Sequence, residues 1–252
     1  MNTILNNPFL VLAISFVALM LSVRIGAYFR SVRALEEDER EDFGIIQAAT
    51  LTLLSLLIGF TFSMAVGRFD QRKNFEEAEA NAIGTEYVRA DLLPATDAAS
   101  VRELLRNYLN QRILFYTTRE VRELRQIDVG TAQLQNQLWS AVLARAAAQP
   151  TPVVALTVSG MNDVLNSQGY TQFAWAYRLP AEAWALMAAL AVGCNVLIGY
   201  GARRTHKSLF LILPVAVCIS FFLIADIDSP RGGLIRVQPQ NLLSLARSLQ
   251  AH

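Results

Sequence analysis

The sequence predicts an all-α membrane protein, with four transmembrane helices and a soluble helical domain inserted between the second and third. Three observations carry this. Four stretches are nearly free of charge and long enough to cross a bilayer. The segment between the second and third is rich in charge and repeats apolar residues with helical spacing. No alternating strand pattern of comparable strength occurs anywhere.

Phe9–Phe29 is apolar apart from Arg24, while Ile45–Gly67, Ala183–Ala202 and Ser208–Ala225 hold no Asp, Glu, Lys or Arg. At about 1.5 Å of rise per residue such runs reach roughly 27–35 Å, against a hydrocarbon core of about 30 Å. Core helices of soluble proteins rarely stay uncharged for so long. The first stretch is expected to be a retained anchor, because residues 1–8 carry no Lys or Arg and no small-x-small cleavage site follows it. Overall, 53% of the 252 residues are hydrophobic, the mean hydropathy is +0.32, and 22 Lys+Arg balance 21 Asp+Glu. That balance gives no reason to expect nucleic acid as a partner.

The domains expected are residues 1–67 (helices 1 and 2), 68–179 (the soluble domain), 180–225 (helices 3 and 4) and 226–252 (a C-terminal tail). Residues 68–179 hold 12 Lys+Arg and 12 Asp+Glu. The second span runs on into Arg68–Asp91 without proline, so a single helix of nearly fifty residues is predicted, ending before Pro94. Asp97 and the Ser100-x-x-Glu103 spacing suggest caps for the next helix, whose apolar face is Val101, Leu104, Leu105 and Tyr108. A further helix is expected to start after Asp128-Val-Gly-Thr131, with Leu134, Leu138, Ala141 and Val142 aligned, and to stop at Pro150-Thr-Pro152. Another carries Val154, Val158, Met161 and Leu165.

Chemistry-bearing motifs are missing. Cys194 and Cys218 sit inside apolar spans, the only histidines are His206 and His252, and there is no G-x-S-x-G, phosphate loop or H-E-x-x-H. No enzyme, catalytic residue, cofactor or metal is expected. Topology rests on charge. The short loops carry Arg30, Arg33 and Arg40, then Arg203, Arg204 and Lys207, which the positive-inside rule assigns to the cytoplasm. Arg68, Arg72, Lys73, Arg178, Arg231 and Arg236 make the opposite side equally basic, but long loops are largely exempt from the rule. The helical domain is therefore expected outside.

On the second span Ala48, Thr52, Ser55, Gly59, Ser63 and Gly67 repeat every three or four residues. Such a face either lines a wet path, with Thr52, Ser55, Gly59 and Ser63 as pore-lining candidates, or permits close helix packing. Ile58, Phe62 and Val66 form a candidate constriction that gates by dewetting, or a lipid-facing stripe. Arg24 lies near the end of its span, where its side chain can snorkel to the interface. The run Glu36–Asp42 reads as a solvated loop before a helix. Asp226 and Asp228 follow the fourth span, where they could bind a cation or simply mark the chain's exit.

Three segments, Gly59–Arg72 (GFTFSMAVGRFDQR), Glu79–Thr85 (EANAIGT) with Arg89 and Leu93-Pro94 after it, and Asp226–Val237 (DIDSPRGGLIRV), resemble the bestrophin-like family of bacterial membrane proteins. Arg68, Arg72, Glu79, Asn81, Thr85, Asp226, Asp228 and Pro230 are the family-motif residues. The resemblance implies an architecture of four spans with a helical domain after the second. It also implies a homo-oligomer (a pentamer by analogy) embedded in a bilayer, here a bacterial cytoplasmic membrane, with ions, anions above all, as the cargo. Bestrophin topology places the helical domain in the cytosol, opposite to the charge-based expectation. The alternative is a non-conducting membrane-anchored sensor that binds a partner through its helical domain.

Overall fold

The computed structural model describes residues 5–33, 36–201 and 209–250, with the side chains of residues 209 and 210 left aside. The loop residues Arg203, Arg204 and Lys207 and both histidines lie outside the described residues. Among those described there are helices and no strands. They are α1 (Pro8–Val32), α2 (Glu39–Arg89), a 3₁₀ turn (Ala90–Leu92), α3 (Ala95–Thr117), α4 (Val121–Ala148), α5 (Pro152–Ala176), α6 (Ala181–Gly201), α7 (Leu209–Asp228) and α8 (Gln240–Gln250). Four helices are long and apolar enough to cross a membrane. The chain divides into two compact units, residues 1–69 with 178–236 and residues 70–177 with 237–252.

In the first unit α1 begins where Asn7 Oδ1 accepts the amides of Phe9 and Leu10 at 3.2 and 3.4 Å, with Pro8 at the first helical position. α1 packs on α6 and α7. The α1–α6 approach is set by two glycines: a Cβ at Gly26 would strike the Val196 carbonyl, and one at Gly199 the Val23 carbonyl. Small residues let membrane helices meet backbone to backbone in this way. Leu19, Met187, Ala191, Cys194, Cys218 and Ile224 fill the core, joined from α2 by Leu54 and Ala65.

α2 has 51 residues and runs without interruption through the end of the apolar stretch, as its freedom from proline predicts. It ends in the 3₁₀ turn, and Leu93 before Pro94 is extended.

In the second unit α3 packs on α4, α4 on α5, and α3 on α8. Val101, Leu105, Tyr108, Leu138, Val142, Met161 and Leu242 are among its buried apolar residues. Two sequence expectations are corrected here. α3 starts directly after Pro94, so Ser100 and Glu103 lie inside the helix rather than at its cap. Asp97 falls in the first turn, where the helix dipole favours a carboxylate, 3.7 Å from Arg145. α4 starts at Val121 and passes straight through Gly130. An interior glycine costs a helix about 1 kcal/mol. Here its missing side chain admits that of Gln111, whose Nε2 donates to the Ile127 carbonyl at 3.1 Å. The chain after residue 236 carries a helix, α8, where the sequence predicts only a tail.

Candidate functional site

α2 carries most of the residues singled out in the sequence, and its two sides differ. Leu54, Thr61, Ala65, Arg72, Glu76, Glu79, Ile83 and Glu86 are buried, spaced by three, four or seven residues along one face. At about 100° per residue, Thr52, Ser55, Gly59 and Ser63 lie roughly 100–180° around the helix from Leu54. All four are exposed, and a Cβ built at Gly59 or Gly67 meets nothing within 4 Å. The stripe is therefore not used for close packing within the chain; Gly26 and Gly199 serve that purpose elsewhere. The Thr52 hydroxyl donates to the Ala48 carbonyl and that of Ser55 to the Thr52 carbonyl, both at 2.9 Å, leaving hydroxyl oxygens on the open face. Of the constriction candidates, Ile58 and Val66 turn partly into the first unit's core, and Phe62 is exposed. Arg24 is exposed on α1.

The acidic residues at the end of α7 accept from backbone amides. Asp226 accepts the amides of Leu234 and Ile235 at 2.7 and 2.8 Å. Asp228 accepts that of Leu179 at 3.2 and 3.3 Å. The turn closes when Ser229 Oγ accepts the Gly232 amide at 3.1 Å, with Pro230 buried. The Asp-Pro-Gly segment is thus a folded corner, held by carboxylates that both face amide donors.

In the second unit Glu79 receives Arg112 in a fully buried ion pair. Its Oε2 also accepts the hydroxyls of Tyr116 at 3.1 Å and Thr171 at 3.2 Å. The Arg112 guanidinium lies 4.4 Å from the centre of the Phe115 ring. Burial, and then the Glu79 charge, push the phenols of Tyr108 and Tyr116 upward from their ordinary value. One turn earlier Glu76 caps α8, accepting the amides of Asn241 and Leu242 at 2.9 and 3.0 Å and the Asn241 side chain at 2.7 Å. Arg72 is buried, Arg68 half-buried. Asn81 and Thr85 are exposed and line a cleft of about 640 Å³ with Asn241, Ser244 and Ser248. Glu76, Glu86 and Arg112 were not singled out from the sequence. The one available signal was spacing: Glu76, Glu79 and Glu86 continue the face of Leu54, Thr61 and Ala65.

The family description "Bestrophin-like domain" matches residues 14–242. The chain belongs to the bestrophin-like family. Its fold agrees with that of solved bestrophin homologues. A bacterial bestrophin homologue from Klebsiella pneumoniae superposes with a TM-score of 0.67 at 13% identity, over 96% of this chain and 97% of that one. A single-residue variant of the Klebsiella pneumoniae protein gives 0.65 at 12%, over 97% and 98%. A membrane protein of 14% identity gives 0.65, over 93% and 97%. No curated protein matches this bestrophin-like chain in sequence.

Proposed function

We propose that this bestrophin-like protein is a homo-oligomeric ion channel of a bacterial cytoplasmic membrane, passing anions along a path lined by Thr52, Ser55, Gly59 and Ser63 of α2. In this reading the helices of residues 68–179 stand outside the bilayer, and Phe62, flanked by Ile58 and Val66, narrows the path. The observation that supports it is the bare face of α2: four small or hydroxyl-bearing residues, all exposed, with open space beside Gly59. A membrane helix exposes such a face poorly to lipid and well to water, because hydroxyl groups can replace part of an ion's hydration shell. For an anion the hydroxyl protons must swing outward from the carbonyls they now meet, whereas a cation would use the oxygens as they stand.

The test is single cysteine substitution (Thr52→Cys, Ser55→Cys, Gly59→Cys, Ser63→Cys) in a protein whose Cys194 and Cys218 have been replaced, reconstituted in liposomes. Reaction with a water-soluble thiol reagent at several positions, with a change in chloride flux, is expected. Inert thiols beside intact flux would move the path to another helix. Absence of flux for every common ion would leave the non-conducting sensor as the surviving reading.

A further inference from the structure

Glu86 lies near the end of α2, on the same buried face as Glu76 and Glu79. Those two carboxylates are met by donors; Glu86 is not. It is fully buried, and neither carboxylate oxygen has a hydrogen-bond partner among the described residues. The carboxyl fits only because α5 has glycine opposite: a Cβ at Gly160 would collide with Glu86 Oε2 and with the Arg89 guanidinium. Thr157, three residues before Gly160 on α5, is buried too, its hydroxyl equally without a partner. The charged groups facing Glu86 are Arg89, from its own helix, and Asp163, from α5. Burial drives the Glu86 carboxyl up from its ordinary 4.5; Arg89 opposes this, Asp163 reinforces it, and the result is about 8. The physical cause is that an ionised carboxylate without donors is the costly form of a buried acid.

We propose that Glu86 is a proton-operated latch between α2 and α5. Neutral, it seats in the notch at Gly160 and keeps α5 closed on α2. Ionised, it leaves the notch for water and α5 loosens. This inference is independent of whether the chain conducts. Because the closed form holds the proton more tightly than the open form, closure is fully favoured below the ordinary carboxyl value of 4.5. It weakens steadily as the pH rises to about 8 and is flat above that.

The experiment is hydrogen–deuterium exchange of the Pro152–Ala176 segment in the full-length protein in nanodiscs, corrected for the intrinsic pH dependence of amide exchange. In the wild-type protein the opening equilibrium should rise about tenfold per pH unit between about pH 6 and 8. In Glu86→Gln, which keeps the shape and loses the titration, it should be flat. A wild-type segment whose opening ignores pH, or a Glu86→Gln slope equal to the wild-type slope, overturns the latch. Should Glu86→Gln fail to fold, an infrared titration of the wild-type protein decides. A protonated-carboxyl stretch that bleaches in step with α5 exchange supports the proposal. A spectrum without one at neutral pH sinks it.

Discussion

In the first unit the buried polar groups of the spans look inward to their own helices. Ser22 donates to Ala18 at 2.7 Å, Thr61 to Leu57 at 2.8 Å and Asn195 to Ala191 at 2.7 Å. The helices meet through surfaces small enough for backbone contact, at Gly26 and Gly199. In the second unit one cluster of buried polar groups reaches across to other helices: Arg112 and Tyr116 of α3 and Thr171 of α5 to Glu79 of α2, and the amides of α8 to Glu76. A single helix, α2, contributes to both arrangements, with Leu54 and Ala65 buried in one unit and Glu76, Glu79 and Glu86 buried in the other. The contrast fits the surroundings proposed for the two units. Hydrocarbon offers no partner to a stray polar group, so a spanning helix satisfies its hydroxyls locally. In the second unit the charge of Glu79 stays buried because another helix brings the counter-charge of Arg112.

The largest expected effect comes from breaking that counter-charge. Glu79→Ala strands the fully buried Arg112 and should cost about 3–5 kcal/mol, read as a lowered denaturation midpoint of the purified protein. Glu79→Leu combined with Arg112→Met should recover most of the loss, since a well-packed apolar pair replaces a buried ion pair at little cost. If Glu79→Ala behaves like a surface substitution, cross-helix charge is not what holds the second unit.

Next comes the backbone contact in the first unit. Gly199→Ala places a methyl group against the Val23 carbonyl, an overpacking that should cost about 1–3 kcal/mol. Gly59→Ala, whose new methyl meets nothing within 4 Å, costs no packing and should hold or raise stability, by up to about 1 kcal/mol. Thermal midpoints of the two variants in the same detergent sharpen the comparison, and equal midpoints would break it.

The smallest effect belongs to the α8 cap. Glu76→Ala removes the acceptor for two helix amides and should cost about 1 kcal/mol, within the range for a lost cap. It should be visible as faster proteolysis near Gln240 rather than as global unfolding. A tail as resistant as that of the wild type would show that Leu242 and α3 hold α8 without the cap.

By itself the sequence determined the four apolar helices, the unbroken length of α2 and its end before Pro94, because charge, hydropathy and the proline ring act on their immediate neighbours. The family motifs were legible for the same reason, as contiguous strings. Helix starts were less so: Ser100-x-x-Glu103 has capping spacing but lies inside α3, and Gly130 reads as a break until Gln111 fills its side. Only the tertiary structure decided which charges are buried. In the string Glu76-Glu77-Ala-Glu79, nothing marks the second residue as exposed and the others as enclosed, except the face on which each falls. Their partners lie far along the chain, with Arg112 at 33 residues from Glu79 and Leu242 at 166 from Glu76. Whether a buried carboxylate finds a donor, as Glu79 does, or a glycine notch, as Glu86 does, depends on which helix packs across from it.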